Sequence, residues 1–260
     1  MSKIKIVTWN IRYATDGDGI NNFIHRSGMI RQKIKAELPE LIAFQEVTDA
    51  SHAPLEEMLP EYYFLGIMRS KSFDNEGLYI AARKDAFEVI GLETVWLSET
   101  PYEAGSRFEN QSICPRVCTM LYVRHRESNF RMRIFDLHLD HISEEARMLG
   151  MRATLDFVES YDAKEKLPTV ILGDYNAGPD CSTIKYCNEY EKTPLFDVTK
   201  DIPLTYHGFG GLLIPEWEKI DYIYVTGELE KRHISTEIWD TCKNGIYLSD
   251  HYPVCAEFEI

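Results

Sequence analysis

The sequence predicts an α/β fold in which two β-sheets pack together with helices outside them. Three observations predict it. Apolar runs with strand patterning recur along the chain, and a few segments carry one apolar face at helical spacing. No linker, repeat or low-complexity tract divides the 260 residues, a length that large α/β folds reach as one unit, so a single domain over 1–260 is expected.

The elements follow in order. Residues 3–9 alternate Lys, Ile, Lys, Ile, Val, Thr and Trp, the period of a strand. Ile30, Ile34 and Leu38 recur every four residues, so 23–38 reads as an amphipathic helix closed by Pro39. Leu41 to Phe44 is a short apolar run, suited to a strand buried on both faces. Strands are expected at 78–83, 87–97, 116–125 and 131–139, the last two around a polar turn at Glu127-Ser128-Asn129. Ser143 can cap a helix that has Glu144 and Glu145 in its first turn and an apolar stripe of Ala146, Leu149, Ala153 and Phe157. Thr169 to Leu172 is a buried strand ending at Gly173, and strands at 221–226 and 253–259 complete the pattern.

Charge narrows the partners. With 28 Lys+Arg against 42 Asp+Glu the net charge is −14, a field that repels polyanions at long range but leaves room for a local cationic pocket. No apolar stretch has the length of a signal peptide or a membrane span. The six cysteines lack zinc-site spacing and are sparse for a disulfide scaffold, so reduced, buried thiols in a cytoplasmic protein are expected. No protein partner can be read.

The chemistry should sit where strands stop. Trp9-Asn10, Gln45-Glu46, Asp136-Leu137-His138, Gly173-Asp174-Tyr175-Asn176 and Ser249-Asp250-His251 each put polar groups at the end of an apolar run; Ile220-Asp221-Tyr222 does so at a strand start. Carboxylates in such places are costly unless paired or bound to metal. Taken alone, Asn10 and the Asp174–Asn176 segment suit turns equally well.

Together, and in this order, the motifs resemble the endonuclease/exonuclease/phosphatase superfamily, which includes deoxyribonucleases, abasic-site endonucleases, inositol polyphosphate phosphatases, sphingomyelinases and deadenylases. The resemblance runs from Trp9 to Pro253. Trp96 to Pro101, Cys114-Pro115-Arg116 and Thr205 to Phe209 look like a bacterial branch with poorly defined substrates. It implies a four-layer α/β sandwich, two mixed β-sheets face to face with helices on both outer sides.

The resemblance also implies roles. Glu46 is the principal ligand of Mg²⁺ or Mn²⁺, with Asn10 beside it. Asp221 is a second ligand or the partner of a phosphate-binding group. Asp174 orients and deprotonates the attacking water, and Asn176 binds a phosphate oxygen. His138 and His251 flank the scissile phosphate, and Asp250 pairs with His251 to fix its tautomer. Glu76 supports the His138 side, and Arg116 is a phosphate-binding cation. Tyr206, His207, Phe209 and Trp217 form either a rim that recognises the leaving group or a hydrophobic cap. Asp140, His141 and Arg147 are placed more weakly.

The function expected is hydrolysis of a phosphate ester by an in-line water, on a small, lipid-type or sugar-type phosphoester. A DNA or RNA nuclease is the alternative. Its basic track would have to be built from clusters such as Arg124-His125-Arg126 and Arg131-Met132-Arg133, which equally suit a solvated edge. A binding module that kept the fold without the chemistry is the third reading.

Overall fold

Alternation along the first strand sets the pattern for the molecule. Ile4, Ile6, Thr8 and Asn10 share one face, Val7 and Trp9 the other, and both faces are buried. A strand buried on both sides must lie inside a layered structure. The structure, a computed structural model, describes residues 2–70, 75–211 and 218–260; Trp217, expected in the rim or cap, lies outside the described residues.

In chain order the strands are β1 (Lys3–Asn10), β2 (Leu41–Thr48), β3 (Tyr62–Met68), β4 (Glu76–Arg83), β5 (Phe87–Trp96), β6 (Val117–His125) and β7 (Arg131–His138). Then come β8 (Thr169–Asp174), β9 (Leu195–Asp197), β10 (Asp221–Thr226), β11 (His233–Ile238), the short β12 (Cys242–Lys243) and β13 (Ile246–Tyr247), and β14 (Val254–Glu259). The helices are α1 (Phe23–Glu37), α2 (Asp49–Met58), α3 (Glu144–Asp162), α4 (Ser182–Asn188) and α5 (Leu229–Arg232). One sheet runs β11-β14-β1-β2-β4-β3 and the other β5-β6-β7-β8-β10-β9. Both are mixed, with one parallel pair each, β1 with β2 and β7 with β8.

Ile4, Ile6, Leu41, Ala43 and Ile80 of the first sheet meet Leu121, Ile134, Leu172, Ile223 and Val225 of the second in one inner core. The far side of the first sheet, with Val7, Trp9, Ile42 and Phe44, is covered by Ile30 and Ile34 of α1 and Leu55 of α2. The far side of the second, with Phe135, Ile171, Tyr222 and Tyr224, is covered by Met151, Leu155 and Phe157 of α3 and Ile184 of α4. This is the expected four-layer sandwich. Burying each large apolar side chain contributes roughly 1.5–3 kcal/mol, which explains why three stacked cores carry the architecture. No helix among the described residues is long and apolar enough to cross a membrane.

Several expectations need correction. Leu38 is not on the buried face of α1: it caps the helix in the left-handed region with φ 47° and is exposed. Ser143 does cap α3, accepting from the Ala146 amide. The buried stripe of α3, however, runs through Ala146, Gly150, Met151, Thr154, Leu155, Phe157 and Val158, leaving Leu149 and Ala153 half-buried. All six cysteines are free, but only Cys118, Cys187 and Cys255 are buried and Cys242 is exposed. The helix α2 contains Pro54, and β3 and β11 lack clean alternation, which is why their segments carry no strong pattern.

β1, β2, β7 and β8 end, and β4, β6, β10 and β14 begin, at one end of the sandwich. Gly173, one residue before that edge, has φ 140°, and a Cβ there would lie 1.9 Å from the Leu137 carbonyl oxygen of β7. Only glycine lets β8 run this close to β7. Gly173→Ala should therefore lower unfolding stability by about 2 kcal/mol or more in urea titrations. A loss within measurement error would show that the backbone there relaxes freely.

Candidate active site

The inner-face alternation that builds the core also builds the site. Along β1 it runs Ile4, Ile6, Thr8, Asn10; along β7 Met132, Ile134, Asp136, His138; along β8 Val170, Leu172, Asp174. Toward the shared end the inward residues change from apolar to polar. Register aligns His138 with Asp174 and Asp174 with Asp221 in the second sheet. Asn10 then bridges the sheets: its Nδ2 donates to Glu46 Oε1 at 3.0 Å and to Asp174 Oδ2 at 2.9 Å. One layer deeper, Gln45 Nε2 donates to Asp136 Oδ1 at 2.7 Å.

Glu46 reaches this space through a backbone irregularity. The register of β2 against β4 shifts between Phe44 and Val47, and Glu46 itself has φ 62°. Its other oxygen accepts from the Tyr13 amide at 2.9 Å. Burial alone would raise the Glu46 pKa, but the Asn10 amide and the Tyr13 N–H outweigh it and hold the carboxyl below its ordinary value. Asn10 acts here as donor, because its Oδ1 accepts from the Arg12 amide at 3.0 Å instead of facing a ligand position.

The acids around Glu46 fit a divalent cation. Oxygens or nitrogens of Glu46, Glu76 and His138 lie within 4.8 Å of one another. Burial, and then repulsion from Glu46, raises the pKa of Glu76; Asp250 is raised by burial, with Glu46 adding to it. Arg12 and Arg69 offset part of the negative charge of Asp250 and Glu76. Hard oxygen donors on one open side suit Mg²⁺ or Mn²⁺ that keeps several waters. Glu76, expected to support the His138 side as part of the substrate-binding set, thus adds to the metal-ligand candidates.

His251 and Asp221 form the second half. His251 Nδ1 is 2.8 Å from Asp221 Oδ2, and His251 Nε2 is 3.8 Å from Asp174 Oδ2. Burial works against a charged imidazole, but Asp221, with Asp174 and Asp250, pushes the His251 pKa up to about 10. The carboxylate that orients His251 is therefore Asp221 and not Asp250. Asp250 accepts from Ser249 Oγ at 3.1 Å and lies 3.6 Å from Arg12 Nε. Asp221 is thus the hydrogen-bond partner of His251, and with Asp174 and His251 it also places ligand atoms within 4.8 Å of one another. Asp174 is pushed upward by burial and by Asp221 directly opposite, against the pull of His251 and Asn10. Its Oδ1 accepts from the Asn176 amide at 2.8 Å, and Asn176 Nδ2 donates one hydrogen to the Leu139 carbonyl. His138, with Nε2 at 3.5 Å from Asp174 Oδ2, is held neutral by burial and by Arg116 and Arg69.

These groups face a cavity of about 490 Å³, which Arg12, Tyr13, Arg69, Arg116, His141, Asn176 and Tyr206 also line. Tyr206 lies 4.9 Å from the His251 ring, so it belongs to the rim. His207 does not. It is fully buried, stacked 4.0 Å from Tyr252, and its Nδ1 accepts from the Gly210 amide, so it packs away from the cavity, as a cap residue would. Asp140 holds the loop before α3 by accepting from Ser112, Ile142 and Ser143. Arg147 donates to the Asp140 carbonyl, and His141 Nδ1 lies 2.8 Å from Arg116 Nη2.

Sequence reasoning missed Arg12, Tyr13 and Arg69. Arg12 follows Asn10 by two residues and could have been found on that ground; Arg69 stands alone after an unrecognised strand. The basic clusters have other work. Arg124 pairs with Glu88, Arg131 with Glu165 and Arg133 with Asp162, at the end of β6 and start of β7 away from the cavity.

Residues 7–251 match the Endonuclease/Exonuclease/phosphatase family. The chain belongs to this family. Its members are hydrolases of phosphoester bonds. Among solved structures, an endonuclease/exonuclease/phosphatase from Bacteroides vulgatus is 26% identical, with TM-score 0.91 and 100% of each chain covered. A mannosyl-6-phosphatase from Bacteroides thetaiotaomicron VPI-5482 is 22% identical, with TM-score 0.86, 99% of this chain and 100% of that one covered. D. rerio TDP2, complexed with single strand DNA product, is 17% identical over 100% of each chain, with TM-score 0.78. No curated protein matches the chain.

Burial, and to a lesser degree His251, lowers the His207 pKa to about 4. An unfolded histidine takes up its proton near pH 6.5, so the unfolded chain binds more protons between the two values. This contribution to stability is present above pH 6.5 and is lost as pH falls toward 4. His207→Asn keeps an acceptor for the Gly210 amide but cannot titrate. Its melting temperature should fall less than wild type between pH 7 and 4.5; an identical fall would mean that His207 is protonated in the folded state without cost.

Proposed function

We propose that the protein is a divalent-metal-dependent hydrolase of small phosphate esters that uses water as the nucleophile. One observation carries the reading: a buried network in which Asn10 ties the Glu46 carboxylate to Asp174, which in turn lies beside the Asp221-paired His251. It joins a cation-hungry cluster to a base and to a fixed imidazolium in one cavity.

Glu46, with Glu76 and Asp250 at hand, would hold Mg²⁺ or Mn²⁺, whose charge on a phosphate oxygen or leaving oxygen contributes several kcal/mol by general precedent. Asp174 takes a proton from the attacking water as its oxygen bonds to phosphorus. The bond from phosphorus to the leaving oxygen breaks on the opposite side, and that oxygen recovers a proton from solvent. His251 donates to a non-bridging oxygen, and the second hydrogen of the Asn176 amide is free to do the same. Asp221 keeps His251 charged and correctly turned, so the donor is in place before charge builds. Neutral His138 adds a donor without repelling the arginines.

A nuclease is the second reading, favoured by the D. rerio relative that holds single strand DNA. Against it stand the −14 net charge and basic clusters neutralised by Glu88, Glu165 and Asp162. The B. thetaiotaomicron mannosyl-6-phosphatase agrees with a small sugar phosphate. A binding module without chemistry fits poorly, since every acid, amide and imidazole of the network is present.

Treatment with EDTA should abolish turnover, and Mg²⁺ or Mn²⁺ should restore it. Glu46→Gln should need far more metal for the same rate while melting as wild type does. Asp174→Asn should lose on the order of 10²–10⁴ in kcat. Full activity in EDTA would remove the metal from the mechanism.

Preference is checked by comparing plasmid nicking with small phosphoester hydrolysis at low and physiological salt. Small esters should be turned over with little salt dependence. Efficient nicking that collapses as salt rises is the signature of many phosphate contacts and would favour the nuclease.

A further inference from the structure

One wall of the cavity contains more cationic hydrogen-bond capacity than the protein itself uses. Arg69 follows β3 in the first sheet, and Arg116 precedes β6 in the second; they are 7% and 3% exposed. The Arg69 backbone is fixed from both sides, its amide donating to the Glu76 carbonyl and its carbonyl accepting from Trp96 Nε1 at 2.7 Å. Its guanidinium reaches Glu76 Oε2 at 2.7 Å.

Arg116 is less well served. Among the described residues, its Nε and Nη1 are buried without a hydrogen-bond partner, and the nearest carboxylate oxygen, Asp140 Oδ2, is 3.9 Å from Nε. Among the described residues its one hydrogen-bond partner is His141, whose Nδ1 lies 2.8 Å from Nη2. Burial, and next the charge of Arg69, pushes the Arg116 pKa down, so the two guanidinium charges oppose each other inside the protein. Buried His138 Nδ1 also lacks a partner. A buried cation with unmet donors costs several kcal/mol, and an anion in the cavity would supply the acceptors that Arg116 lacks.

We infer that Arg69 and Arg116 together form a seat for a terminal phosphate, and that the substrate class is therefore a phosphomonoester and not a phosphodiester. The inference rests on the phosphoester reading above and narrows it. A monoester offers three non-bridging oxygens and about two negative charges at neutral pH, one more of each than a diester. Two forked donors match that extra oxygen and charge. In a diester the same position carries carbon, which would press an apolar group against two buried cations and leave the donors of Arg116 unmet. Arg69 is then a specificity-determining residue that the motifs did not reveal.

The test compares p-nitrophenyl phosphate with bis-p-nitrophenyl phosphate in Mg²⁺ and in Mn²⁺, for wild type, Arg69→Gln and Arg116→Gln. Wild type should favour the monoester in kcat/KM. Each variant should cut the monoester-to-diester ratio about ten- to hundredfold, as expected for a lost charge-assisted contact. A residue that only braces the fold would lower both rates and leave the ratio unchanged, and that result overturns the inference. Arg69→Lys, which keeps the charge that faces Glu76 but lacks the fork, gives the same readout should the glutamine variant not fold.

A binding measurement separates this inference from the hydrolase reading. In EDTA, inorganic phosphate should raise the melting temperature of wild type, and either glutamine variant should lose that rise. If neither ester is hydrolysed with any metal, the hydrolase reading falls, and the phosphate shift alone decides the arginine seat. No shift in wild type, or an equal shift in the variants, sinks it.

Discussion

Asn10 is the pin of this molecule. Its amide group donates to a carboxylate from its own sheet and to one from the facing sheet, while its carbonyl receives the Arg12 amide. The two donated bonds go to carboxylates and are of the order of 1.5–3 kcal/mol each; the one accepted from Arg12 joins neutral groups. Their joint effect is geometric. Two sheets that otherwise meet mainly through apolar side chains, with Gln45 and Asp136 bridging one layer deeper, are given one relative position at the edge where position matters. Arg26 reinforces this from α1: fully buried, it donates to the carbonyls of Ile11, Asn21 and Leu248 and so ties the loop after β1 to the loop before β14.

Electrostatics at that edge is a set of opposed costs. Asp174 and Asp221 face each other across a strand pair, an arrangement that would expel one of the charges if His251 did not stand beside both. Glu46, Glu76 and Asp250 crowd the other side with Arg12 and Arg69 as partial compensation. Below them Asp136, fully buried, has its pKa pushed well up by desolvation, and Gln45 holds one of its oxygens.

Much of this was legible in the sequence, for a physical reason. Period-2 alternation that ends in Asn10, His138 or Asp174 states both that a strand is buried and that its last inward residue is chemical. The expected strands therefore came out within two residues at either end, except that β2 runs past Phe44 through its irregularity to Thr48, and the site residues on them came out together. What failed was of another kind. The pairing of His251 with Asp221 depends on register between distant strands, which no local pattern encodes; adjacency in sequence suggested Asp250 instead. His207 sits next to Tyr206 but faces the opposite way, into Tyr252. Arg69 follows a strand whose Tyr62–Met68 pattern does not alternate cleanly, so nothing local pointed at it.

The pairing of β1 with β14 has a further consequence. Thr8 lies opposite Val254, which brings Asn10 and His251 to one edge although 241 positions of sequence separate them. Contacts of such long separation are among the slowest to form, because the intervening chain must first be ordered. A partly folded chain can hold either sheet's polar ends but not both in register. The complete constellation therefore exists only when both sheets are closed and in register.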